Sequence, residues 1–272
     1  MIDEGILSKE SRLIALYGQN AQASPFLKRL NTAFRTLGLP DYAVGLDIAP
    51  EHFAYMLKGM PNSKVTMALY EPEYRKEAAA LVDLPDTCTT LSGLCDGAVA
   101  REGKLASVCF FPEAFERLLA CESVNLRNAR VLLLGMDGVN RALLPLLGVL
   151  EVASVEVACE RVEEGAGLLE ASMASLTGVK KDVHWLREGM AIEADAYDTV
   201  VVDTALPFGV KGGAKTLWID VSEKGFVERP VPGRVIGAGA WQTARALSVA
   251  VRWLGAEVNC DQYDLILNKT GG

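Results

Sequence analysis

The feature of this sequence that most constrains its fold is a regular alternation of short apolar runs with longer segments of helical periodicity. Residues 12–18 (RLIALYG) make a strand-length apolar run closed by glycine. Ser24-Pro25 then opens a stretch, 26–37, whose apolar residues Phe26, Leu27, Leu30, Ala33, Phe34 and Leu37 fall at helical spacing, with Gly38 as its stop. Serine supplies an N-cap acceptor and proline a preset φ, so the pair is a start signal. A strand at 42–48, a helix at 50–57, a strand at 64–69 and an alanine-rich helix at 71–82 follow. Parallel strands need crossover connections and helices supply them. This order therefore predicts a mostly parallel sheet with helices on both faces.

Residues 87–109 break the rhythm and read as two extended pieces around the turn Arg101-Glu102-Gly103-Lys104. After a short helix at 112–121 the alternation restarts: strand 129–134, a glycine turn, helix 140–150, strand 154–158 and helix 162–176. Strands at 182–186, 199–203 and 215–221 complete the set, the GVKGG segment at 209–213 and the stretch 232–239 read as loops, and 240–254 reads as a helix. The expected fold class is α/β with two domains. An N-terminal α/β substrate domain takes residues 1–111, with the C-terminal helical region 240–272 returning to it. A Rossmann-type doubly wound nucleotide-binding domain takes 122–239.

The 272 residues suit two domains, and 50% hydrophobic against 23% charged residues excludes a disordered chain. A formal charge of −8 without a basic run argues against nucleic acid as a partner. No apolar run approaches the roughly 20 residues of a membrane span. Met1-Ile2-Asp3-Glu4-Gly5 has neither a basic nor an apolar stretch of a secretion signal. The expectation is a cytoplasmic protein with a small-molecule substrate, no nucleic-acid or membrane partner, and a homodimer as an allowed assembly. Six cysteines (88, 95, 109, 121, 159, 260) show no CxxC spacing, and His52 and His184 are the two histidines, so no metal cluster is expected. The thiols are expected reduced, each packing as a small hydrophobe, and His184 is expected to lack a catalytic partner.

Arg130–Arg141 (RVLLLGMDGVNR) reads as strand, turn and helix start. In a dinucleotide site the first glycine makes the tight turn, a second lets backbone approach the pyrophosphate, and the helix N-terminus holds its charge. Gly135, Gly138 and Asn140 are the expected cofactor contacts there, although Asp137 puts a carboxylate in the intervening place. The next strand runs into Glu160, where an acid accepts hydrogen bonds from a ribose 2′-hydroxyl and repels a 2′-phosphate. That favours NAD, while Arg161 beside it keeps NADP open; an acid at a helix start is also favoured by the dipole alone.

The layout from about Arg12 to Gly255 resembles shikimate/quinate 5-dehydrogenases. The matching pieces are Tyr17-Gly18 followed by Ser24-Pro25, the AFxxLGL segment Ala33–Leu39, the glycine-turn domain, and a closing W-x-G at Trp253-Leu254-Gly255. The resemblance implies a two-domain NAD(P)-dependent oxidoreductase acting on a small hydroxy or oxo compound, carboxylate-bearing in the parent family, in an interdomain cleft. It places Ser24 and Thr66 as substrate-contacting hydroxyls and Asp96 at an asparagine position. A substrate-binding glutamine falls at Arg245, or at Gln242 after a three-residue shift.

The family's N-V-T-x-P-x-K motif, set on Lys64–Tyr70, puts Tyr70 at its lysine, and Phe111 at the aspartate of a later N-T-D motif. These two hold and deprotonate the substrate hydroxyl in the family. Tyr70 is then the catalytic candidate, on condition that a cation such as Lys64 lowers its pKa from about 10. Phe111 cannot serve. The implied alternative is a non-catalytic ligand-sensing or interaction protein.

Overall fold

A computed structural model describes residues 12–136, 138–223 and 231–271. The expectations for Met1–Gly5 and for the aim of the Asp137 carboxylate lie outside the described residues. The chain divides into two compact units, 12–114 with 243–271, and 115–242.

The first unit is built on a five-stranded sheet. Its elements are β1 (Leu13–Gly18), α1 (Pro25–Thr36), β2 (Tyr42–Asp47), α2 (Pro50–Gly59), β3 (Val65–Tyr70), α3 (Pro72–Leu81), α4 (Thr87–Ser92), β4 (Gly97–Arg101) and β5 (Lys104–Val108). The strand order is β2-β1-β3-β4-β5, parallel from β2 to β3, with β4 antiparallel to both its neighbours. Proline stands in the first turn of α1, α2 and α3, where its missing N–H leaves nothing unpaired. Tyr17, Phe53, Tyr70 and Tyr74 form an aromatic core, Phe53 stacking on Tyr74 at 4.2 Å between ring centroids.

Where 87–92 is expected extended, the chain folds as α4. The Asp86 carboxylate accepts from the Thr89 amide at 2.7 Å, and Gly93 closes the turn in the left-handed region. A Thr-Cys-Thr-Thr core carries no apolar period, so only the caps signal this helix. The β4–β5 hairpin turns on Glu102 and Gly103, both at positive φ, as a two-residue hairpin loop requires.

Helix α5 (Phe111–Cys121) leads into the second unit, followed by β6 (Arg130–Leu134), α6 (Asn140–Val149), β7 (Ser154–Cys159), α7 (Val162–Ala171), β8 (Lys180–Trp185), β9 (Ala191–Glu193), β10 (Thr199–Val202), β11 (Gly209–Lys211), β12 (Leu217–Asp220) and β13 (Arg234–Ile236). Six strands form an all-parallel sheet in the order β13-β12-β10-β6-β7-β8. From β6 outward this is the 3-2-1-4-5-6 order of doubly wound dinucleotide folds, with the crevice between β6 and β10. Four of the five β6 residues and all four of β10 are buried, as strands covered on both faces must be.

Two segments expected as loops supply strands. Gly209–Lys211 pairs with β9, and Arg234–Ile236 extends the sheet beyond β12. Both are three residues long, too short for a periodic signal. Helix α8 (Ala238–Leu254) and α9 (Cys260–Thr270) replace the single expected C-terminal helix, with Asn259 and Gln262 forming a capping box on α9.

The reduced-thiol expectation is corrected in the first unit, where Cys88 and Cys109 form a disulfide with their Cα atoms 6.1 Å apart. Strand pairing and α4 bring the two together, and a spacing of 21 residues carries no sign of it. Cys121 and Cys260 are disulfide-bonded as well, against the same expectation, while Cys95 and Cys159 are buried and outside any disulfide. No helix among the described residues is long and apolar enough to cross a membrane.

Candidate functional site

At the crevice of the second unit, β6 turns into α6 through Gly135, whose φ of +89° and lack of a side chain are both required. A Cβ there would stand 2.3 Å from the Asp203 carbonyl oxygen. The Asn140 side chain is buried and donates to the carbonyls of Leu134, Gly135 and Val201, locking the turn to β10. The amide nitrogen of Asn140 is thus engaged by the protein, while its Oδ1 is buried without a hydrogen-bond partner among the described residues.

The Asn140 backbone N–H donates to the Asp203 carboxylate at 2.9 Å, and the same carboxylate lies on the bare face of Gly138. A Cβ on Gly138 would be 2.8 Å from both of its oxygens. Beside the turn is a cavity with about 300 Å³ of free volume. It is lined by Gly135 and Met136, by Glu160 and Asp203, and by Leu186 and Leu206 among others. Arg161 is turned to Glu164 at 2.8 Å, and Arg141 meets the other oxygen of that carboxylate at 2.6 Å.

Against a nicotinamide dinucleotide these residues fit in part. Left-handed Gly135, the switch-point cavity and the acid after β7 suit a nucleoside end. The diphosphate end fits poorly as the side chains stand, because the Asp203 carboxylate lies against Gly138 and already holds the Asn140 N–H, one of those at the helix start. Sequence reasoning misses Asp203, although a carboxylate closing a Val-Val-Val strand at the crevice is itself a signal.

The first unit gathers a buried charged group. Arg245 on α8 donates to Asp96, both with wholly buried side chains, and its guanidinium lies over the Phe26 ring at 3.9 Å and the Phe111 ring at 5.4 Å. Asp96 also accepts from the Phe110 amide at 3.3 Å. Arg75, 2% exposed, lies over the Phe111 ring at 4.9 Å and donates to the Tyr70 carbonyl at 3.1 Å. Asp96 and Arg245 are thus brought together. Gln242, the shifted alternative, donates to the Glu223 carbonyl.

Of the other predicted positions, Tyr70 joins this group through its backbone, its N–H donating to the Asp96 carbonyl at 3.0 Å. Ser24 caps α1, its hydroxyl accepting from the Phe26 amide at 3.2 Å. Thr66 sits in a bulge at the start of β3 and donates to the Leu13 carbonyl, roughly 13 Å along the strand from Tyr70 at about 3.3 Å per residue. Tyr70 is fully buried among Tyr17, Phe53 and Tyr74. Burial first, then Cys95 and Tyr17, push its phenol well above the usual value, the opposite of the lowering that catalysis would need. Lys64 is exposed at the far end of the strand.

Lys64–Tyr70 contains no proline. The strand–proline–helix order of the family motif is met at Pro72, which places Tyr74 and Arg75 two and three residues on. Sequence reasoning misses Arg75 because α3 reads as an alanine-rich surface helix. His184, expected without a partner, faces Glu156 at 2.9 Å, and Tyr197 donates to the same carboxylate at 2.6 Å.

No protein-family model matches the chain, and no curated protein matches it in sequence. Among solved structures it has the fold of shikimate 5-dehydrogenases and related reductases. It matches ligand-free 5-ketofructose reductase of Gluconobacter sp. strain CHM43 with a TM-score of 0.76 and 14% identity, over 96% of this chain and 99% of that one. Shikimate 5-dehydrogenase from Thermus thermophilus, solved with NADP(H) and shikimate, matches at 0.71 and 18%, over 95% and 99%. The Listeria monocytogenes enzyme, solved with shikimate and NAD, matches at 0.73 and 14%, over 96% and 98%. At such identities the likeness is one of fold, and the chemistry is argued from the sites.

Proposed function

We propose that this chain is a small-molecule-binding protein on the shikimate dehydrogenase fold, sensing a ligand in place of oxidising a shikimate-type alcohol. What carries this reading is the state of the groups at the family's proton-handling positions. Phe111 has no titratable group. Tyr70 and Tyr74, which take the lysine's place in the two registers, both have their pKa raised, burial being the first cause. A positioned base typically supplies about 10²–10⁴-fold in rate, and none of these three can act as one. The ligand of the second unit, on this reading, carries a nucleoside, its ribose diol donating to Glu160.

A second reading is an NAD- or NADP-dependent oxidoreductase of a small hydroxy or oxo compound, favoured by the Gly135 turn and by Glu160 beside the cavity. The nicotinamide would then supply or accept the hydride. Glu160 would favour NAD, since Arg161 is engaged with Glu164. A carboxylate-bearing substrate would need Arg245 to leave Asp96. Absorbance at 340 nm with NAD⁺ or NADP⁺ and either shikimate or quinate tests the pair, alongside thermal shift with adenosine. The expected result is a rise in melting temperature with adenosine and no cofactor reduction. Reduction that scales with protein concentration overturns the sensing reading in favour of the enzyme.

A further inference from the structure

We infer that the cavity of the second unit selects a nucleoside without a diphosphate, because Asp203 holds, as an internal carboxylate, the place where a ligand's diphosphate would bind. This rests on the reading above that the cavity takes a nucleoside at all. A diphosphate in a doubly wound fold uses two features: the bare face of a glycine and the N–H groups that open the following helix. Here one side chain meets both, lying against Gly138 and holding one of those N–H groups. The Asp203 carboxylate accepts from the Asn140 N–H at 2.9 Å and packs on Gly138, where a Cβ would be 2.8 Å from each oxygen. One backbone N–H makes one good hydrogen bond, so a phosphate oxygen would have to displace the carboxylate.

Displacement is opposed from behind. The Asp203 N–H donates to the Leu134 carbonyl at 2.8 Å, and its own carbonyl abuts the Gly135 turn. The backbone is fixed between β6 and β10, and the short side chain has little reach. Charge works in the same direction. Glu160 and Asp203 line the cavity, and none of the described lining residues is lysine or arginine, so a dianionic diphosphate meets repulsion without compensation. Size agrees, since about 300 Å³ lies at the small end of ligand pockets and suits half a dinucleotide. Met136, Leu186 and Leu206 offer apolar cover for a base.

Isothermal titration of the whole chain with adenosine, ADP and NADH tests this. Adenosine is expected to bind at least about tenfold more tightly than ADP or NADH. Asp203→Ala, which vacates the place, should shrink that preference by about tenfold or more, and Asp203→Asn, which keeps an acceptor without the charge, by less. Circular dichroism of each variant checks that it is folded. Wild-type binding of ADP or NADH as tight as adenosine overturns the inference and leaves the nucleoside reading standing. So does a preference unchanged in both variants. Failure of all three compounds to bind at millimolar concentration overturns the nucleoside reading and the inference with it.

Discussion

Arg245 and Asp96, singled out in the sequence as substrate contacts, meet in the fold as an ion pair. Resemblance places both at substrate positions, yet in the fold each is the other's partner, with no exposed side-chain surface. A buried ion pair contributes little net stability, but removing one member strands a desolvated charge, at a cost of about 3–5 kcal/mol. Asp96→Ala and Arg245→Met should each lower unfolding free energy by that order in urea denaturation, and the double variant by much less than their sum. Tyr70 gives the contrasting case. Its buried hydroxyl has no hydrogen-bond partner among the described residues, so Tyr70→Phe removes an unsatisfied group and should leave the urea midpoint unchanged or raised. A fall of more than about 1 kcal/mol would mean that the phenol is bonded in solution.

Among the elements, long periodic segments are legible and short capped ones are not. α1 is readable because Ser24, Pro25 and a six-residue apolar face all say helix. α4 is not, because its helix rests on Asp86 and Gly93 at its ends. The strand–turn–helix around Gly135 is visible as a pattern, but its tightness is a tertiary fact. Gly135→Ala combines a left-handed φ with a contact of 2.3 Å to the Asp203 carbonyl, and should cost several kcal/mol or prevent folding. Gly167 in α7 is the internal control, since a Cβ there meets nothing within 4 Å. Gly167→Ala should raise stability by about 0.5–1 kcal/mol through helix propensity alone, measurable by thermal denaturation.

For the molecule as a whole, buried phenols set the alkaline limit. Tyr17, Tyr70, Tyr74 and Tyr197 are all shifted above the usual 10.0, burial being the first cause in each. With folded values raised, the neutral phenols leave stability intact below pH 10 and the unfolded state gains by ionising above it. Urea midpoints should hold steady through neutral pH and fall as pH climbs past about 10, and absorbance at 295 nm should show a delayed tyrosine titration in the folded protein. The Cys88–Cys109 bond closes a loop of 21 residues, for which chain entropy gives roughly 3 kcal/mol. Cys88→Ser should therefore lower the melting temperature, and dithiothreitol, which also reduces the disulfide bonding of Cys121 and Cys260, should lower it at least as far.

Residue order alone was enough to establish the longer strands and helices, the restart of the pattern near residue 130, and the glycine turn at the head of the second sheet. Those follow from local periodicity and from residues with unusual backbone freedom, which neighbouring positions along the chain suffice to express. Which charges meet was settled in three dimensions. Asp96 and Arg245 are 149 residues apart, and Asp203 and Asn140 are 63 apart. Side chains so distant in the chain are juxtaposed by strand register and helix packing, which no spacing rule records. That is why the Rossmann-type order was readable in advance and the occupant of its anion seat was not.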